Sequence, residues 1–66
     1  MRLTVNGEEI VLSGGNTVRQ LLEQLQIVDR PVAVERNGKI VSYSTFDQVE
    51  LTEGDVLEVV TLVGGG

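Results

Sequence analysis

Alternation of apolar and polar residues organises the first dozen positions. Leu3-Thr4-Val5 puts Leu3 and Val5 on one face of a strand and Thr4 on the other. Asn6-Gly7 is a strong two-residue hairpin signal, and Glu9-Ile10-Val11-Leu12 resumes the apolar run. The period then changes. Val18, Leu21, Leu22 and Leu25 follow the i, i+3, i+4, i+7 rule and form one helical stripe, with polar side chains in the intervening positions. Thr17 and Gln20 stand at the spacing of a reciprocal capping box, so Thr17 opens the helix. Asp29-Arg30-Pro31 closes the segment, because proline disfavours helical geometry in the residue before it. Between the second strand and the helix, Ser13-Gly14-Gly15-Asn16 predicts a left-handed turn. It is not a phosphate loop, since it lacks the longer glycine spacing and the Lys followed by Ser or Thr.

Alternation returns at Val32-Ala33-Val34-Glu35, followed by a second Asn-Gly turn at Asn37-Gly38 and a short strand at Ile40-Val41. The flanks of the two Asn-Gly turns differ, so they are reused turn chemistry and not an internal repeat. Within the irregular stretch from Ser42 to Gln48, residues Ser44 to Asp47 read as a short helical turn with Phe46 plugging the core edge. Tyr43 reads as a half-buried packing residue. Val49 and Leu51 re-enter the core. Glu53-Gly54-Asp55 then turns the chain into a final β-branched strand ending near Val63.

The order strand, strand, helix, strand, short strand, irregular turn, strand predicts an α+β fold. Its mixed sheet has four to five strands with one main helix packed on one face. The final strand returns beside the first and parallel to it. This is the β-grasp, or ubiquitin-like, arrangement, read here as a single domain over residues 1–66. Parity within the final strand assigns its faces. Glu58 is not to be buried unpaired, so Leu57 and Val59 point at the helix. Val60 and Leu62 are left on the uncovered side, a candidate docking patch at the root of the chain end.

Composition narrows the chemistry. The 66 residues contain neither cysteine nor histidine, which excludes disulfides, thiolate or imidazole metal sites, a protein-held persulfide and a nucleophilic triad. The net charge of −5 reads as a solvated acidic surface, and the five basic residues are scattered rather than clustered with aromatics, which argues against nucleic-acid binding. No apolar run approaches the ~20 residues that span a bilayer, and no leader precedes the first strand. The expectation is a cytoplasmic chain, monomeric when free and without a membrane partner. No credible acid–base pair marks it as an enzyme. Gly64, Gly65 and Gly66 end the sequence. Such a run predicts a mobile, thin thread over 64–66, free of Cβ atoms and narrow enough to enter a partner's active site. A frayed end or a cloning remnant has the same composition, and the glycines alone leave the two open.

The whole chain resembles the bacterial sulfur carriers, above all those of thiamine biosynthesis. The resemblance is carried by Thr17-Val18 leading into Leu21-Leu22, by Asn37-Gly38 before Ile40-Val41, by Gly54-Asp55 before the last strand, and by the terminal Gly65-Gly66. That family pattern requires two glycines; Gly64 is a third and lengthens the tip. The resemblance implies a co-substrate and not an enzyme. An E1-like adenylating enzyme uses ATP to activate the Gly66 carboxylate, and a sulfur donor such as a cysteine desulfurase converts it to a thiocarboxylate. That sulfur is delivered to thiazole synthase. No cofactor is implied on the chain itself. Two alternatives stand beside this reading: the small subunit of molybdopterin synthase, with the same chemistry and a different receiver, and a ubiquitin-like binding or modifier domain.

Overall fold

The computed structural model describes residues 1–62. Five strands form one sheet: β1 (Arg2–Val5), β2 (Glu8–Val11), β3 (Val32–Arg36), β4 (Lys39–Val41) and β5 (Val56–Thr61), in the spatial order β2-β1-β5-β3-β4. β5 is central. It runs parallel to β1, with Val5 opposite Leu57, and antiparallel to β3, with Val34 opposite Val59. The two Asn-Gly turns make the hairpins β1–β2 and β3–β4. Asn6 and Asn37 take left-handed φ values of 52° and 51°, as type I′ turns require.

The helix α1 (Val18–Gln24) crosses one face and buries Val18, Leu21 and Leu22. Its capping box is complete, with the Gln20 amide donating to the Thr17 hydroxyl at 3.2 Å and the Thr17 amide to Gln20 Oε1 at 3.0 Å. The turn ahead of it contains a positive φ of 122° at Gly15, where a Cβ would collide with the Gln20 side chain. Helix and sheet enclose a core that includes Leu3, Val5, Leu21, Leu22, Val34, Phe46, Leu51, Leu57 and Val59.

Two expectations need correction. The helix ends before Pro31, because Gln26 adopts a left-handed φ of 63°. The Ile27 amide then donates to the Leu22 carbonyl and the Gln26 amide to the Glu23 carbonyl, each at 3.0 Å. This is a Schellman closure with glutamine in the usual glycine position, and the partly buried Ile27 packs back on the core. Tyr43 is not half-buried but 77 % exposed, and its ring makes a tilted contact with Phe46 at 5.4 Å between ring centroids. The helical turn expected at 44–47 is a 3-10 helix over Tyr43–Thr45, and it seats Phe46 in the core as expected.

Candidate functional site

The central strand is fixed at both ends by side chains from the two hairpin turns. At its start, Asp55 is buried and its carboxylate accepts from Arg36 Nε (2.8 Å), the Thr52 amide (2.8 Å) and Asn37 Nδ2 (3.0 Å). Burial by itself raises this carboxyl's pKa. The hydrogen bonds from Asn37, Thr52 and Arg36, with the Arg36 charge, outweigh burial and leave it below the ordinary 3.8. Asn37 also exchanges bonds with Val56, donating its amide to the Val56 carbonyl at 2.7 Å and accepting the Val56 amide on Oδ1 at 2.9 Å.

At the other end, β1 has already turned away at Asn6 and can no longer pair with β5. The Asn6 carboxamide replaces the missing strand. Its Oδ1 accepts the Val59 amide and its Nδ2 donates to the Val59 carbonyl, both at 2.9 Å. On the opposite edge Val32 pairs with Thr61, and the Leu62 amide donates to the Pro31 carbonyl at 2.8 Å. The backbone is therefore held as far as Leu62, in the middle of the sheet. The two asparagines do more than shape turns, a role that the dipeptides alone do not disclose.

The faces of β5 follow the predicted parity. Leu57 and Val59 are buried beneath α1; Val56 and Val60 are exposed on the uncovered face. Val60 stands opposite Ala33 and is 57 % exposed. Leu62, 52 % exposed, lies past the strand in a shallow groove lined also by Val28, Arg30, Pro31, Val32 and Tyr43. The same open face holds Ile40, which is 82 % exposed, and the side chains of Glu35 and Glu58. Sequence reasoning did not single out Ile40, Tyr43 or Glu35 as surface features. For Ile40 the signal exists, since the two-residue turn sets it opposite Glu35. The sequence-predicted residues Gly64, Gly65 and Gly66 lie outside the described residues, as does Val63. Among the described residues no cluster of Asp or Glu is arranged to hold a metal ion, and no helix is long and apolar enough to cross a membrane.

Known proteins match this architecture and sequence together. A thiazole synthase from Paramagnetospirillum magneticum is 48 % identical over 66 residues, all of this chain; the chain spans only 20 % of that relative's length. The sulfur carrier protein ThiS of Bacillus subtilis is 37 % identical over 65 residues, covering 97 % of this chain and 98 % of that one. The crystal structure of the thiamine biosynthesis protein ThiS from Geobacter metallireducens superposes with a TM-score of 0.81 at 35 % identity, covering both chains fully. The sequence model of the ThiS family matches residues 1–66, and a mixed sheet built around β5 is the fold of its solved structure: the chain belongs to the ThiS family.

Proposed function

We propose that this protein is a sulfur carrier for thiamine biosynthesis whose Gly66 carboxylate becomes a thiocarboxylate. The observation that carries the reading is full-length membership of the ThiS family, alongside a relative named as a sulfur carrier protein. The chemistry needs activation first, because a carboxylate is a poor electrophile until one oxygen becomes a leaving group. An E1-like enzyme transfers the adenylyl group of ATP to Gly66, releasing pyrophosphate. A sulfur donor such as a cysteine desulfurase then supplies the sulfur: its persulfide displaces AMP at the carbonyl carbon, and a thiol reductant cleaves the resulting acyl disulfide to leave the thiocarboxylate. The carrier provides the reacting atom on a tether, while its partner enzymes supply positioning and charge stabilisation.

Gly64 and Gly65, lacking Cβ atoms, suit passage through a narrow partner channel. Val60 and Leu62, exposed beside the final hydrogen bond of the described backbone, suit docking of that partner. Thiazole synthase is the proposed receiver. Its support is that a relative bearing that name contains a stretch matching this whole chain within a protein about five times as long.

Intact mass spectrometry tests the reading. Incubated with ATP, the activating enzyme, a sulfur donor and a thiol reductant, the chain is expected to gain the mass of one oxygen replaced by sulfur, with fragmentation placing the change at Gly66. Deleting Gly66 shortens the reach by about 3.5 Å and is expected to abolish the product. Isopeptide conjugates without any thiocarboxylate would replace this reading with the modifier one.

A further inference from the structure

Asn6-Gly7 and Asn37-Gly38 are the two Asn-Gly dipeptides of the chain, and each forms the tip of a two-residue hairpin. Asn-Gly carries a spontaneous chemistry. The glycine amide nitrogen, once deprotonated and with no Cβ in the way, attacks the asparagine Cγ. The new C–N bond closes a five-membered succinimide, and ammonia leaves. Water then opens the ring at either carbonyl, giving aspartate or isoaspartate, with no oxidant and no enzyme required. The attack needs the carboxamide folded back over its own following amide, and in the folded protein both carboxamides are held elsewhere. Asn6 Oδ1 and Nδ2 are bound to the Val59 amide and carbonyl, each at 2.9 Å. Asn37 accepts the Val56 amide at 2.9 Å and donates to Asp55 Oδ1 at 3.0 Å. Ring closure therefore waits for β5 to release a carboxamide through local opening.

The two latches differ in what secures them. Asn37 donates to a buried carboxylate that Arg36 Nε and the Thr52 amide also hold, each at 2.8 Å, so its bond is charge-assisted. The same negative charge opposes the anion that the Gly38 amide must become. Asn6 has only the neutral backbone of Val59, on the stretch of β5 that β1 no longer covers. We propose that Asn6 is a site of spontaneous deamidation in the folded protein, reacting ahead of Asn37, and that its conversion frees the β1 side of β5 at Val59. Aspartate sets a carboxylate oxygen against the Val59 carbonyl where Nδ2 had donated, leaving two acceptors face to face. Isoaspartate also routes the main chain through the former side chain, lengthening a turn whose two left-handed residues set the β1–β2 register. Neither product returns to asparagine, so the modification records how often this part of β5 has opened. This chemistry does not depend on the function proposed above.

The test incubates the full chain in mildly alkaline buffer, with and without denaturing urea, and follows each site by peptide mapping and mass. In urea Asn37 is expected to convert at least as fast as Asn6, because Arg36 and Lys39 flank it and favour loss of the Gly38 amide proton. In the folded protein the order is expected to reverse, with Asn6 first and both sites slower than in urea by about tenfold or more. Asp55→Asn is expected to hasten Asn37 selectively. Asn6→Asp, made directly, is expected to speed hydrogen exchange of the Val59 amide by about tenfold or more, leaving the Leu21 amide in α1 unmoved. Asn37 reacting first in the folded protein, or Asn6 staying intact there while it converts in urea, overturns the assignment. Equal rates at Asn6 with and without urea show that Val59 does not restrain it and overturn the latch. Unchanged exchange at Val59 in Asn6→Asp overturns the consequence for β5, and equal acceleration at Val59 and Leu21 assigns it to the whole fold and overturns it as well.

Discussion

Val59 and Val60 are chemically identical neighbours on the same strand, and they face opposite worlds. Val59 lies in the core with Leu57, Val34 and the α1 stripe, whereas Val60 projects from the bare side of the sheet beside Ala33. Among the described residues the buried core contains one carboxylate, Asp55, whose hydrogen bonds are all supplied within the chain. The open face also has its charges, Glu35 and Glu58, but nothing in the described chain neutralises them. The difference teaches that one side of β5 is satisfied within the chain and the other is not. A domain of this size has little apolar area to spare, so Val and Ile left in water on one face stand out against so complete a core.

The largest effect expected from breaking this contrast is on the covered side. Leu57 is fully buried at the centre of the sheet, between β1 and β3. Leu57→Ala removes three carbons, Cγ and its two methyls, from a site that β1, β3 and α1 hold rigid, and is expected to cost ~2–5 kcal/mol. Urea denaturation measures it. A loss no larger than that of a surface substitution would mean that the two faces are not energetically distinct.

A smaller effect comes from Asp55, the one buried charge among the described residues. Asp55→Asn keeps the shape but weakens the charged hydrogen bonds to Arg36, Asn37 and the Thr52 amide, with an expected cost of ~1–3 kcal/mol near neutral pH. The pH dependence has a definite sign. The folded carboxyl titrates below the ordinary 3.8, so its stabilisation is fully present above 3.8 and is lost as pH falls through the folded value. Wild type and Asp55→Asn are therefore expected to differ at neutral pH and to converge in acid below that value. Denaturation curves at several pH values check this, and a gap that persists unchanged in acid would assign the effect to shape instead of charge.

How much of this was legible in the sequence depends on the range of the interaction concerned. Local signals were readable: both Asn-Gly turns, the Thr17–Gln20 box and the parity that buries Leu57 and exposes Val60 each rest on residues close in the chain. The early end of α1 was not, because glutamine seldom takes a left-handed cap and Gln26 carries no glycine signal. Tyr43 read as packing because it neighbours Phe46, but the 3-10 turn gives the core only one of the two rings. The side-chain bonds from Asn6 to Val59 and from Asn37 to Asp55 join residues 53 and 18 positions apart, and the facing of Glu35 and Glu58 depends on a register between strands far apart in the chain. Those contacts exist only once β5 has inserted between β1 and β3. At the candidate site, therefore, the exposed apolar residues of β5 and Glu58 among them were visible in advance, while the placing of Glu35 opposite Glu58 and the groove around Leu62 were not.

The smallest expected effect on stability is the one most informative about function. Val60→Asp changes a side chain that already faces solvent, and its loss of folding stability is expected to stay within about 0.5 kcal/mol. Some of that cost comes from crowding a new carboxylate beside Glu58, its neighbour two residues away on the same face. The apolar contact offered to a partner is removed entirely, and a charge must be desolvated if docking is to occur at all. Adenylation by the activating enzyme, read as ATP–pyrophosphate exchange, is therefore expected to need a much higher concentration of the variant, with the thermal midpoint almost unmoved. Val59→Asp, one residue earlier, is expected to unfold the chain because it places the same carboxylate against α1. If Val60→Asp instead lowers the midpoint as far as Leu57→Ala does, the two faces are not divided between folding and docking. If it leaves both midpoint and exchange unchanged, the activating enzyme does not dock on this side of β5.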